Sequence, residues 1–295
     1  MTTATGRATQ RASSSSPSRG SGAVYDSPND LVRLLAETVD AAARTPFFGQ
    51  RMRGLPPIES LADFRRVPVT PIAEYRMQRL GDVVTDTASV QWIAGAHHVR
   101  PGPSVPAAEG GKDTATRYDV VRDAILGAMR PETPRKCVVV ADPSRRYFAA
   151  EVCAVLGYQG IAAHLFVEQG NGRVWESARL LEPDLMAVLT DDFNEDSLPE
   201  SVELCVTFRS RPSIRRAKHV DLYLVDELGF MAHSTDMERW VLNNDLYYFE
   251  RATSGSLIAT AFRSRTRPVV RLLLDDEVTE LGKHTMVLGK LAENA

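Results

Sequence analysis

The feature that most constrains the fold of this 295-residue chain is a series of short, nearly continuous apolar runs separated by helix-length stretches. KCVVVAD (136–142), IAAHLFVE (161–168), LMAVLTD (185–191), VELCVTF (202–208) and HVDLYLV (219–225) lack the polar alternation of a half-solvated strand. Strands of this kind are buried on both faces, and crossover helices supply the cover. YFAAEVCAVLGYQG (147–160) and VWESARLLEP (174–183) are helical candidates in the right places. Upstream, SVQWIAG (89–95) reads as a strand, and TATRYDVVRDAILGAM (114–129) as a helix with Tyr118, Val121, Ile125 and Met129 on one face. The pattern predicts an α/β fold with substantially parallel sheet. The last third differs: residues 245–281 carry strands at hairpin spacing around Ser254-Gly255, which predicts a small antiparallel section.

The N-terminal part reads differently again. Residues 1–24 are Ser, Thr, Gly and Arg with almost nothing to bury, so a disordered leader is expected. From Pro28, the apolar spacing of Leu31, Leu34, Leu35, Val39 and Ala42 predicts a helix, with Ser27 as N-cap and Thr45-Pro46 as its stop. Two further short helices follow: PIESLADFRRV (57–67), with a capping pattern at Ser60 and Asp63, and PIAEYRMQRL, starting at Pro71. A net charge of −3 argues against nucleic acid or anionic membrane as partner, and no apolar run reaches spanning length. Three unpaired, unclustered cysteines, Cys137, Cys153 and Cys205, read as reduced core thiols of a cytoplasmic protein.

HVDLYLVDELGF (219–230) carries the clearest chemical signal, an apolar strand ending in Asp226-Glu227. Ligands of open α/β sheets sit beyond the carboxyl ends of the strands, so the pair marks a candidate site. The competing reading is that the carboxylates cap a following helix.

Taken in order, several segments resemble phenylacetate–CoA ligases and acyl-protein synthetases, members of the adenylate-forming, AMP-binding superfamily. Thr45-Pro46-Phe47-Phe48 stands where that family ends its opening helix in Ser-Pro-Phe-Tyr, and Leu61-Ala62-Asp63-Phe64 with Val67-Pro68-Val69-Thr70 resembles the segment that follows. Tyr223-Leu224-Val225-Asp226-Glu227 aligns with Tyr-Gly-x-Thr/Ser-Glu. Asp245 to Glu250, Gly255 to Thr260, and Pro268 through Arg271 to Asp276 follow the family's C-terminal motifs in order. The resemblance covers Leu31 to the end. It implies the large N-terminal domain of adenylate-forming enzymes over 25–281, with parallel or mixed sheets flanked by helices plus a small antiparallel β section. It further implies ATP or AMP as cofactor, Glu227 as the Mg²⁺-holding glutamate, Tyr223 at the nucleotide, and Asp276 with Arg271 at the ribose.

The departures from the family are as informative. Where members carry a hydroxyl- and glycine-rich phosphate-binding loop, this chain has Ala94 to Pro101, AGAHHVRP. It holds adjacent His97-His98, of which His98 is the candidate acid–base residue, and EGGKD (109–113) is a weak substitute loop. Arg209, Arg211, Arg215, Arg216 and Lys218 make a basic run that reads as a solvated helix face or as an anion site. MVLGKLAEN (286–294) resembles the family's hinge, so 282–295 is expected to be a hinge-like tail with the lid domain absent. The implied function is a degenerate ligase-like protein that binds an acyl or aryl carboxylate, or its adenylate or thioester, in biosynthesis. The other readings are a ligase half served by a separate lid or carrier protein, and a non-catalytic interaction protein, with a homodimer compatible with each. Trp92, Tyr118, Tyr147, Phe148 and Phe230 line an aromatic acid pocket or simply form core.

Overall fold

The computed structural model describes residues 27–86, 92–94, 107–109, 125, 127, 136–168, 172–190, 193–208, 214–262 and 266–289. The leader, His97-His98, Tyr118, Lys112 and Arg209–Arg211 lie outside the described residues, and so do the side chains of Trp92 and Tyr147.

Within the expected strand 89–95, β2 (Trp92–Ala94) pairs antiparallel with β3 (Ala107–Glu109) in a separate two-stranded sheet, and the later apolar runs become strands as expected. β4 (Lys136–Ala141), β5 (Ala162–Val167), β6 (Leu185–Leu189), β7 (Leu204–Phe208) and β8 (Lys218–Val225) form a parallel sheet in the order β5-β4-β6-β7-β8. Alternate residues of β4 face opposite cores. Cys137, Val139 and Ala141 pack with Phe148, Val152 and Leu156 of the helix Arg146–Tyr158, while Val138 and Val140 pack with Ala178 of the helix Arg173–Leu180. Each of these side chains is essentially solvent-free, and full burial of one apolar side chain contributes about 1.5–3 kcal/mol. Phe148 and Phe230 belong to this core, ring against ring at 6.1 Å, so neither lines a ligand pocket.

Beyond β8 the sheet turns antiparallel. β9 (Gly229–Ser234), β10 (Arg239–Leu242), β14 (Thr285–Leu288), β13 (Val269–Leu281), β12 (Ser256–Ala261) and β11 (Tyr247–Arg251) follow in that spatial order. The hairpin expected at Ser254-Gly255 is the β11–β12 connection, with Gly255 at φ +94. β13 spans thirteen residues: its first half pairs with β12 and, in parallel, with β1 (Thr70–Pro71), and its second half pairs with β14. The segment from 282, expected as a hinge-like tail, therefore contributes β14 to the sheet.

The N-terminal helices cover the antiparallel part. α1 (Pro28–Ala43) is capped by Ser27, whose hydroxyl oxygen accepts from the Asp30 amide, and buries Leu31, Leu35, Val39 and Ala42. Thr45-Pro46 ends it and also starts a further helix, α2 (Pro46–Arg51), with Thr45 as N-cap and Pro46 at the first helical position. Ser60 caps α3 (Leu61–Phe64) as expected. α4 (Ile72–Arg76) follows β1 directly, which fixes its position against β13. Arg271, on β13 at φ +46, reaches under this layer. Its Nη1 donates to the carbonyls of Arg65 and Val67 at 2.6 Å each, and its Nε donates to Glu250 at 3.0 Å.

Candidate functional site

The carboxyl ends of β4, β6, β7 and β8 lie along one edge of the parallel sheet, and Asp226-Glu227 emerges there from β8. No helix follows. Residues 226–228 make a tight turn into β9, closed by the Leu228 amide on the Val225 carbonyl and by Gly229 at φ +89, a conformation open to glycine. Helix capping is thus excluded, and the carboxylates stand at a strand end.

Side chains from distant segments hold the turn. Tyr247 donates from its hydroxyl to the Leu228 carbonyl, and Arg267 donates from Nη2 to the Glu227 carbonyl. Arg76, at the end of α4, donates from Nε to Oε1 of Glu227 at 2.7 Å and from Nη2 to Oε2 at 3.3 Å. Glu227 is 1% exposed, while the Arg76 side chain keeps 28% of its surface open. Burial alone would lower the Arg76 pKa. The Glu227 hydrogen bonds, and the charges of Glu227, Asp226 and Asp275, outweigh that and raise it.

Around this pair sits an aromatic layer. Arg267 lies over the Tyr75 ring at 5.9 Å, and Tyr75 meets Phe48 and Phe47 at 6.1 and 6.2 Å. Burial, opposed by the Arg267 charge and reinforced by that of Glu227, raises the Tyr75 pKa, so its phenol stays protonated.

Of the candidate residues, Tyr223 and Asp276 meet directly: the Tyr223 hydroxyl donates to Asp276 Oδ2, and the Tyr223 ring packs edge-on against Trp240 at 5.7 Å. Both residues are fully buried. Arg271 is engaged with Glu250 and two backbone carbonyls, and no contact joins it to Glu227. His98 lies outside the described residues. Arg76 and Arg267 were not among the sequence candidates. The one signal for Arg76 was its helix, and a helix names no partner 151 residues away.

Arg215 and Arg216 of the basic run are exposed on a loop, not on a helix, and their amides donate to Glu195. An open groove of about 630 Å³ lies along α1, lined by Glu37, Thr38, Ala41, Arg44 and Phe262, and shares no residue with the candidate site.

This architecture is similar in fold to ligases of known structure. No family model matches the sequence, and no curated protein sequence does. Among solved structures, the chain is similar to 2-hydroxyisobutyryl-CoA ligase in an open conformation with 2-HIB-AMP and CoA. The TM-score is 0.72 at 17% identity, over 88% of this chain and 73% of that one. In the thioesterification state of the same ligase, with 2-HIB-AMP and CoA, the TM-score is 0.68 at 17% identity, over 85% of this chain and 63% of that one. The acyl acid amido synthetase AtGH3.15, in complex with 2,4-DB, matches at TM-score 0.55 and 8% identity, over 88% of this chain and 68% of that one.

Proposed function

We propose that this chain binds an acyl or aryl carboxylate, or the adenylate or thioester derived from it, as a ligase-like protein with altered activation chemistry. The observation that carries the reading is the placement of Asp226-Glu227 at the carboxyl edge of a parallel sheet, where such folds hold their ligands. Support comes from the overlap with a ligase whose structure holds an acyl-AMP and CoA. ATP or AMP is the cofactor this reading implies, with Tyr223 and Asp276 as the nucleotide-side candidates and Glu227 as the carboxylate at the crevice edge. Arg271 acts in support, by fixing the helical layer on β13.

The chemistry open to the chain's own residues is electrostatic. Arg76 presents a partly exposed guanidinium beside Glu227, guanidinium forks suit carboxylate and phosphate oxygens, and buried Arg267 holds the Glu227 carbonyl in place. Tyr75, packed on Phe47 and Phe48, backs Arg267.

Calorimetric titration tests the reading. Aromatic and aliphatic acids, acyl-CoA thioesters, and ATP with and without Mg²⁺ are titrated into the full chain and into Glu227→Gln, with circular dichroism confirming the fold. Binding of at least one acid, thioester or nucleotide, weakened in the variant, is expected. Heat from none of them overturns it.

A second reading, a non-catalytic binding protein on the same fold, is favoured by one observation: both oxygens of Glu227 already face a guanidinium. Acid binding without pyrophosphate release from ATP separates the two.

A further inference from the structure

The resemblance places a divalent cation at Glu227, and the donor set found there does not fit one. Mg²⁺ takes oxygen ligands in near-ideal octahedral geometry and needs carboxylate oxygens turned toward it. Oε1 and Oε2 of Glu227 accept from Arg76, and its backbone carbonyl accepts from Arg267, so all three oxygens of the residue meet guanidinium N–H groups. Among the described residues, no group of three His, Cys, Asp or Glu side chains is placed to hold a metal. The nearby charges of Asp226 and Asp275 strengthen the hold on Arg76. A cation entering here would have to evict a guanidinium bound through two nitrogens to a carboxylate with almost no solvent access.

We propose that Arg76 is the resident cation of this site: it keeps divalent metals off Glu227 and meets the ligand's anionic group in their place. Its geometry suits both tasks. Nε and Nη2 are turned inward to Glu227, while Nη1 makes no hydrogen bond among the described residues and belongs to a side chain 28% open to solvent. The outward edge offers donors to a carboxylate or phosphate oxygen, and a monovalent fixed charge makes that binding independent of Mg²⁺. Arg76 is then a specificity-determining residue. This consequence for ligand chemistry rests on the reading of the crevice given above; the exclusion of metal does not.

The test uses metal alone. Thermal unfolding of the full chain, Arg76→Met and the double variant Arg76→Met/Glu227→Gln is followed while Mn²⁺ replaces EDTA, with NaCl as ionic-strength control. Expected are a flat response for the unaltered chain, a Tm that climbs with Mn²⁺ for Arg76→Met, and a flat response again for the double variant. Arg76→Lys keeps the charge if the methionine variant does not fold. Its ammonium cannot hold both carboxylate oxygens in the same fork, so it gains a weaker Mn²⁺ response in the same direction. A rise in the unaltered chain that Glu227→Gln abolishes overturns the proposal, as does a flat response in both Arg76 variants. Because no organic ligand enters, failure to find an acid substrate leaves this result standing.

Discussion

Arg76 and Glu227 are 151 residues apart in the chain, and their side chains meet through two parallel hydrogen bonds of 2.7 and 3.3 Å. The pair pins α4 to the β8–β9 turn. Taking one partner from a buried ion pair strands the other, at about 3–5 kcal/mol. Arg76→Met leaves the carboxylate of Glu227 at 1% exposure, and a loss of about 3 kcal/mol is expected because Arg76 itself is partly solvated. Glu227→Gln keeps an acceptor for Arg76, and a loss of about 1–2 kcal/mol is expected. Urea unfolding of both single variants and the double variant checks the order and gives the coupling between them.

Arg271 joins three elements that are far apart in sequence. Its fork takes Glu250 on β11 and two carbonyls ahead of β1, with about a tenth of either ionic side chain exposed. Lysine offers a single point of charge in place of the planar fork. Arg271→Lys is expected to lower stability by about 1–3 kcal/mol, and amide exchange is expected to speed up at Val67 and Thr70 before it does in the parallel sheet.

On β7 and β8, the Thr207 hydroxyl donates to Asp221 at 2.7 Å and stands 2.7 Å from His219 Nε2, which is therefore the protonated nitrogen. Burial pulls the His219 pKa down to about 4 from an ordinary 6.5. Between those values the unfolded chain binds the proton and the folded chain does not, so stability rises with pH. The contribution is complete above 6.5 and is lost as pH falls toward 4. His233, lowered by burial, acts in the same sense. The unfolding free energy of His219→Gln is expected to depend less on pH in this window; an unchanged slope would count against the assignment.

Two glycines give opposite outcomes on substitution. A Cβ on Gly49 would stand 2.5 Å from the Ala43 carbonyl oxygen, which the end of α1 cannot move aside. Gly49→Ala is expected to cost about 1–3 kcal/mol. A Cβ on Gly157 meets nothing within 4 Å, and its helix gains from a better helix former, so Gly157→Ala is expected to stabilise by about 0.5–1 kcal/mol. Thermal melts of the two variants should move in opposite directions.

What the sequence made legible follows from how local each signal is. β4, β6, β7 and most of β8 were readable because burial on both faces keeps a strand almost continuously apolar, as in Val138-Val139-Val140, whereas β5 lies at the sheet edge and stays exposed or half-buried along its whole length. Ser27 and Ser60 were readable because a cap and its helix are neighbours in the chain. Thr45-Pro46 was read as a stop alone, since a proline that ends one helix suits the first turn of the next equally well. β9, β10 and β14 were not distinguished, because four to six residues with mixed polarity carry little periodic signal. Glu227 was found from its place after an apolar strand, whereas Arg76 and Arg267 were not, since nothing local to either names the carboxylate or carbonyl it will meet. Phe148 and Phe230 show the reverse case, being conspicuous as residues and ordinary as core.

The continuity of β13 has a consequence for how the molecule comes apart. One uninterrupted backbone serves β12 and β1 with its first half and β14 with its second, so a fraying event on either side pulls on hydrogen bonds of the other. The helix-covered antiparallel layer therefore cannot melt as a separate foldon while β14 stays zipped. Nicking the chain within β13 should split one cooperative transition into two.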